Sequence, residues 1–464
     1  MKGPGETGAF PFLESYFPVA GPFPLSLATM GLKRDTIRAE LRCDVLVVGG
    51  GTAGFGAAVA AGRQGLDVVL MEAGPRVGGV MAFCPGMPWG GAYPCGEIIG
   101  GLIAELSDRL AGLSPPAAEK RPCTLANFGP EIVYDPDAAQ VVMFEMLEEA
   151  GVRVHLNTTV TAPQMAGARI EMVAFCDRHG VGIVRPGIVL DCSGDGDVSA
   201  EAGVPFELGD AAGRMMGVTL SFLLVNAPWE MVFAEGDPYF TRHAERGVAS
   251  GRLHPDLARI YMMKGFHRNT VFCNSVIIRG IDGTRPAEIA RATQEGRRRC
   301  RALVAFLCDE VPGFADAWMT NLGPTVGVRE TRKLRGLYRL TGADVAAATR
   351  FPDGIVACAN PIDDVMRGDR GMTHDAAVAD LTYYTLPFRC LVPAAIENLL
   401  FAGRNVSADP VAFASIRGMP QCMAMGQAIG TAAAVALRAG VPIQDIDGRE
   451  IAARMKAQGL WGLA

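Results

Sequence analysis

Three glycines and one acid give this chain its first chemical signature. Gly49, Gly51 and Gly54 follow the apolar run 45–48, and Ala58 comes about one helical turn later. At the point where a strand becomes a helix, this spacing lets Gly49 make the tight turn and Gly51 bring bare backbone up to a pyrophosphate. Gly54 and Ala58 then let the helix sit close on the strand. Unpaired N–H groups at the helix start face the phosphates. A second apolar run, 68–71, ends at Glu72, about twenty residues beyond the glycines, where a carboxylate accepts from ribose hydroxyls. Such charge-assisted bonds contribute roughly 1.5–3 kcal/mol each. Glu72 argues against a 2′-phosphate and so against NADP, while the fingerprint alone leaves FAD and NAD both open. A βαβ turn without a ligand is the competing reading, and it does not explain an acid at the end of an apolar strand.

Further along, arginines, an acid and a histidine offer chemistry of another kind. In GVRETR, extended backbone places Arg329 on one face and Val328, Glu330 and Arg332 on the other. Guanidinium forks there suit carboxylate or enolate oxygens; the alternative is an internal Arg–Glu–Arg ion pair. His374, beside Asp375, is a proton donor in one reading and a surface or helix-start residue in the other. Arg389, in TLPFRCLVP, precedes a strand and is expected to face the site. Arg329, Glu330, His374 and Arg389 form the candidate catalytic set. Cys84 and Cys95 are thiols near the fingerprint, and ordinary packing explains them better than a covalent cofactor link. Arg297, Arg298, Arg299 and Arg301 read as a solvated helix face.

Composition narrows the class. The chain has 464 residues, 49% hydrophobic and 20% charged, with a formal net charge of −6, a mean hydropathy of +0.21 and a pI near 5.7. That length exceeds one ordinary core, so two or three domains are expected. The acidic balance gives no basic face for a nucleic acid. Twelve cysteines occur without a C-x-x-C pair, which removes the usual signatures of iron–sulfur, zinc and dithiol sites, so no metal is expected. Free thiols suit a reducing, cytoplasmic setting. Pro4, Pro11, Pro18, Pro22 and Pro24 interrupt the apolar N-terminal stretch, so neither a signal-peptide core nor membrane insertion is expected.

The elements that must position these residues are legible from period and punctuation. Residues 1–41, rich in Pro, Gly and Phe, read as an arm lying on a surface or a neighbouring subunit, which leaves a homo-oligomer open. After Glu72 a glycine-dense loop is placed to run along the cofactor; Met81, Phe83, Met87, Trp89 and Tyr93 indicate that it is packed. A helix over 98–110 follows. Another begins at Asp135 and Pro136 and closes at Gly151. VRVHLNTTV and IEMVAFCD read as two strands of a hairpin or meander. GIVLDCSGDGDVSAEAG reads as a strand returning to the first sheet, because Ser199 stands where a third glycine would be needed. Residues 206–384 mix strands with a helix over 286–310 and form the expected substrate domain. Leu399 to Phe401 then read as a buried strand, and an Ala- and Gly-rich helix closes at Gly440.

These stretches together resemble the FAD-dependent oxidoreductases related to the fumarate reductase and succinate dehydrogenase flavoproteins, within the glutathione-reductase-type FAD fold. The likeness rests on VVGGGTAGFGAAVAA with Glu72, VYDPDAAQVVMFEMLEEAGVRV, VLDCSGDGDVSAEAGVP, VGVRETRKLRGLYRLT, YYTLPFRCLVP and NLLFAGRNVSADPVAFASIRGMPQCMAMGQAIGTAAAVAL. It covers roughly residues 42 to 440 and not the arm.

The resemblance implies an α/β fold: a Rossmann-like FAD-binding domain with a parallel sheet (42–205 and 385–464) and an inserted mixed α+β substrate domain (206–384). It implies that noncovalent FAD meets Gly49, Gly51, Thr52, Ala53 and Gly54, then Glu72, Ala73, Arg76, Gly78 and Gly79. Ser193, Gly194 and Asp195 would close over it, with Gly403 and Arg404 beside them. Met425, Gly426 and Gln427 would address the isoalloxazine from a helix N-terminus near 422–427. The histidine and arginine spacing of fumarate reductases is absent, so dicarboxylate reduction is not carried over.

The expected function is hydride transfer between a small polar or anionic substrate and flavin N5, with an electron acceptor that the sequence does not define. A relay subunit of a larger redox complex is the alternative. A simple NAD-binding dehydrogenase leaves the C-terminal return to the sheet unexplained.

Overall fold

The expected strand–turn–helix unit is present, and it starts earlier than the apolar run suggests. The computed structural model describes residues 37–463 apart from 85, 124–127, 366, 368–372 and 376–381. β1 (Ile37–Val48) leads into α1 (Thr52–Arg63) and β2 (Val68–Met71), followed by α2 (Val80–Phe83), α3 (Gly101–Ala111), β3 (Ala118–Pro122), β4 (Pro130–Tyr134) and α4 (Pro136–Glu149). Then come β5 (Arg153–His155), β6 (Thr159–Ala166), β7 (Arg169–Asp177), β8 (Gly180–Asp191) and α5 (Asp197–Glu201). Residues 37–41 therefore belong to the sheet and not to an arm; the rest of the expected arm, 1–36, lies outside the described residues.

The main sheet has the order β5-β2-β1-β8-β7-β6. β5, β2, β1 and β8 are parallel, and β7 and β6 continue antiparallel. VRVHLNTTV thus divides between two strands: β5 pairs β2, and only β6 joins the hairpin with β7. Asn157 sits between them at φ 52°, a left-handed turn that asparagine tolerates. α4 is entered as expected, the Asp135 carboxylate accepting from the N–H groups of Asp137 and Ala138. α3 starts at Gly101 and not at Ile98, because Gly100 lies against Gly459, whose carbonyl oxygen would be 1.9 Å from a Cβ there.

The middle of the chain builds a second core. β9 (Phe206–Leu208), β10 (Val218–Val225), α6 (Trp229–Val232), α7 (Thr241–Ala249), β11 (Met262–Lys264), β12 (Val271–Ile278), α8 (Pro286–Glu310), β13 (Trp318–Thr320) and β14 (Arg332–Leu334) follow in order. β11-β12-β10-β13 form an antiparallel sheet. α8 buries Ala292, Cys300, Leu303, Phe306 and Leu307 in the core beside that sheet.

The remaining elements are α9 (Gly342–Ala346), β15 (Gly354–Cys358), β16 (Ile362–Asp364), β17 (Thr373–Asp375), β18 (Tyr384–Pro387), β19 (Leu399–Phe401), α10 (Pro410–Ile416), α11 (Met419–Ala439) and α12 (Gly448–Ala457). β15 and β18 pair, and their Ile355, Val356, Cys358 and Tyr384 belong to the first core, so residues 206–384 divide their packing between the two cores. β19 returns to the main sheet beside β8.

α11 is the one helix among the described residues long and apolar enough to cross a membrane, and protein covers most of it. It lies parallel to α1 at backbone contact: a Cβ on Gly426 would stand 1.9 Å from the Ala53 carbonyl oxygen, and one on Gly430 would stand 2.4 Å from that of Ala57. We expect Gly426→Ala to push the helices apart, at a cost of at least the roughly 1–3 kcal/mol of an overpacked core. Gly440→Asn, at a helix end with φ 66° and open space around it, should change the melting temperature little. Thermal melts of the two variants against wild type check this, and equal melting temperatures would refute the contact.

Candidate active site

Where the turn after β1 meets the turn after β8, the chain leaves a cavity of about 460 Å³. Its first wall is the expected one. Gly49, Gly51, Thr52, Ala53, Glu72 and Gly79 line it. Ser193, Gly194, Gly403 and Arg404 line it as well.

Each glycine has a distinct steric reason. Gly49, at φ 90°, passes so close to β8 that a Cβ would lie 2.6 Å from the Cys192 carbonyl oxygen, and a Cβ on Gly54 would lie 1.7 Å from that of Gly49. At Gly51, by contrast, nothing comes within 4 Å, and the missing side chain leaves open cavity. Gly78 supports the turn from behind, its N–H donating to the Gly50 carbonyl at 2.6 Å. The Glu72 carboxylate accepts from the N–H groups of Gly50 and Gly74, each at 2.6 Å, and is thereby held at the cavity edge.

The turn after β8 is shaped by Asp191, a residue the sequence analysis did not single out. Its fully buried carboxylate accepts from Ser193 N and Oγ and from Ser199 N and Oγ. Four donors satisfy both oxygens, which a buried charge requires. Asp195 is absent from the lining and accepts from Arg404 at 2.7 Å, steadying that guanidinium on the wall.

The second wall comes from the antiparallel sheet and neighbouring loops. Thr219 and Ser221 on β10, Tyr261 and Met263 beside and on β11, and Asn274 on β12 line it. Arg329 joins them, its Nη1 donating to Gly217 O at 2.9 Å and to Thr219 Oγ1. Among the described residues no carboxylate lies within ion-pair distance of Arg329. Burial, then the like charge of Arg417, lowers its pKa to about 10. Arg417, just before α11, lines the cavity too and donates to Asp363 at 2.7 Å. Its Nε is buried without a hydrogen-bond partner among the described residues. Gly418, Met419 and Cys422 bring the true N-terminus of α11 to the same place. Glu131 on β4 completes the wall; burial pushes its carboxyl up to about 7, against the opposing effects of Cys123 and Arg121.

Several expected residues lie elsewhere. Met425, Gly426 and Gln427 sit past the first turn of α11 and face protein: Gly426 touches α1, and the Gln427 side chain accepts from Leu102 N and donates to Gln458. Ala73 and Arg76 are exposed beyond Glu72, with Arg76 3.5 Å from Asp137. Glu330 is absent from the cavity lining and is the centre of a buried ion cluster, contacting Lys333 at 2.5 Å and Arg367 at 2.7 Å. Arg389 is 45% exposed and pairs with Asp353 at 2.9 Å, away from the cavity. Arg332 binds Asp195 O and Asp197. His374 is not among these: its backbone, on β17, pairs with that of Asp363, which lines the cavity. Cys95 is outside the cavity lining, whereas Cys84 is inside it, 2.8 Å from Ser221 Oγ, with its thiol pushed up to about 11 by burial.

A shallower cleft of about 730 Å³ lies by Asp197, Thr284, Arg297 and Thr325; none of the fingerprint glycines reaches it. The smaller cavity is therefore the candidate site.

The model of a family described as FAD dependent oxidoreductase matches residues 44–455. The chain belongs to that family. As an FAD-dependent oxidoreductase it has the residues its cofactor needs: open space at Gly51, a carboxylate fixed at the second strand's end, and a continuous cavity from there to Arg329. The 4-oxocyclohex-2-ene-1-carboxylate 5-dehydrogenase of Sinomonas cyclohexanicum is 39% identical over 75 residues, 16% of this chain and 13% of that relative's length. Among solved structures, the anhydrotetracycline hydroxylase OxyS of Streptomyces rimosus aligns over 90% of this chain and 65% of its own, at 12% identity and TM-score 0.47. The p-nitrophenol 4-monooxygenase PnpA of Pseudomonas putida DLL-E4 aligns over 90% and 84%, at 13% identity and TM-score 0.46. Structural likenesses this loose carry no argument about chemistry.

Gly51→Ala places a methyl group in open cavity and touches no protein atom. Its apo form should melt like wild type while FAD binds roughly tenfold to a hundredfold more weakly, the effect of losing one charge-assisted bond to pyrophosphate. Fluorescence titration with FAD gives the answer, and wild-type affinity would show that the turn is not the phosphate site.

Proposed function

We propose that the protein is a dehydrogenase or reductase that exchanges a hydride between a small anionic organic substrate and noncovalently held FAD. One observation carries this reading: the half-buried Arg329 guanidinium on the cavity wall has no carboxylate within ion-pair distance among the described residues, Asp363 attracting it only from farther away. A charge drawn partly out of water with no paired carboxylate is costly, so it persists where something anionic visits. The Arg417–Asp363 pair and the N-terminus of α11 add positive potential on the same side. The Sinomonas dehydrogenase, which is named for a carboxylate, supports the same class. The resemblance to fumarate reductase and succinate dehydrogenase flavoproteins stays part of the reading for the fold of the cofactor domain, and not for a dicarboxylate.

When bound, FAD supplies the two-electron exchange. The chain's own residues do the rest. Arg329, anchored through Gly217 and Thr219, holds the substrate anion by charge-assisted bonds. Met263, Met87 and Val328 make the walls partly apolar, which excludes water and strengthens those bonds. Noncovalent attachment is supported by Cys84, whose raised pKa keeps it a thiol and not a nucleophilic thiolate. A walled substrate cavity favours direct turnover over a relay role. The twelve cysteines, all free in the structure, support a cytoplasmic setting.

Arg329→Leu should keep FAD and melt close to the wild-type temperature, since removing an incompletely compensated charge offsets the loss of its bonds to Gly217 and Thr219. It should weaken binding of benzoate, followed through the absorbance of the bound flavin, by roughly tenfold to a hundredfold. Arg389→Ala should alter neither quantity measurably, because its ion pair is half in solvent. Wild-type benzoate affinity in Arg329→Leu would refute the anion clamp.

A further inference from the structure

The cavity that holds Arg329 also holds a carboxyl group. Glu131 lies on its wall, only 5% exposed. Its surroundings do not supply a full counter-charge. Arg121, on the paired strand β3, is engaged by Glu119 and by the carbonyl oxygens of Gly265 and Phe266. The Cys123 thiol bonds to the Glu131 carboxyl, and Tyr261, itself raised by burial, faces it from the second core. Further along the lining stand Asp363, Arg417 and Arg329. An anion held by Arg329 thus shares one enclosed space with a carboxyl group, and two negative charges in such a space repel strongly.

We propose that the cavity takes up its anionic substrate together with one proton, and that Glu131 is the side chain that carries it. This rests on the anion reading of Arg329 and adds to it a proton-exchanging group inside the substrate cavity. The neutral carboxyl is then a donor placed beside the bound substrate, and its carboxylate is the matching acceptor for the reverse direction. Burial raises Cys84 to about 11 and Tyr261 higher still, and Arg329, lowered only to about 10, stays charged. Glu131, raised to about 7, is the one whose resolved shift brings it near neutrality.

Two signs follow. Because the folded-state pKa of Glu131 is raised, the stability linked to its proton is fully present below the unfolded value and is lost as pH rises through about 7. Wild type should therefore lose melting temperature relative to Glu131→Gln between pH 5 and pH 8. Anion binding should be level below pH 7 and weaken above it, by up to about tenfold per pH unit if uptake of the proton is obligatory.

Benzoate titrations of the FAD-loaded protein at pH 5.5, 7 and 8.5 test this. We expect weakening at pH 8.5 in wild type, a flat profile in Glu131→Gln, and poor binding at every pH in Arg329→Leu. Wild type alone gives a second readout, the uptake of about one proton per bound benzoate in weakly buffered solution at pH 8.5, which keeps the test intact should Glu131→Gln fail to fold. A flat wild-type profile without proton uptake, with binding intact, overturns the role of Glu131 and leaves the anion clamp standing. No benzoate binding by wild type at any pH overturns the clamp and, with it, the proton-coupled site.

Discussion

The backbone contact between α1 and α11 is the constraint on which the site depends. Gly56, Gly426 and Gly430 let the two helices run parallel with carbonyl oxygens where Cβ atoms would otherwise be. Parallel packing puts both N-termini at one end. The first turn of α1, at Gly51 and Thr52, and the first turn of α11, at Met419 and Cys422, consequently open into one cavity. Partial positive charge from two helix ends converges there. A bulkier residue at Gly426 would displace Arg417 and Gly418 together with the helix.

The second constraint is electrostatic. The cavity has a basic side, with Arg329, Arg417 and Arg404, and an acidic carboxyl in Glu131. The buried charges outside it are arranged differently: Glu330 is surrounded by Lys333 and Arg367, and Asp191 by four hydrogen-bond donors. Compensated charge builds the frame and the incompletely compensated charge of Arg329 is left facing the cavity, a division expected where binding takes precedence over stability.

Much of the frame was legible because it obeys local rules. The glycine spacing, the acid after β2, the Asp135 cap of α4 and the strand Ile188 to Leu190 need no distant partner to be read. The start of α11 was misplaced, although Pro420 near a helix start is a usable signal that would have moved it to Met419 and drawn Arg417 into view. Parity along GVRETR separated Arg329 from Glu330 but failed for Val328, which lines the cavity beside Arg329, because 328–331 is not a regular strand; nothing local says which side chain meets a cavity and which meets Lys333 and Arg367. Glu131 and Tyr261 carry no local signal, since what makes them notable is burial by segments more than a hundred residues apart. Arg389 failed for the same reason: its partner Asp353 and its exposure are tertiary facts.

The most direct measurement is anaerobic reduction of the bound flavin by small cyclic and linear carboxylic acids, each paired with its methyl ester. A substrate anion held by Arg329 means that an acid which bleaches the flavin should outpace its ester by roughly tenfold or more, since the ester forfeits a charge-assisted bond of about 1.5–3 kcal/mol. Esters that reduce the flavin as fast as their acids would contradict an anion-binding cavity.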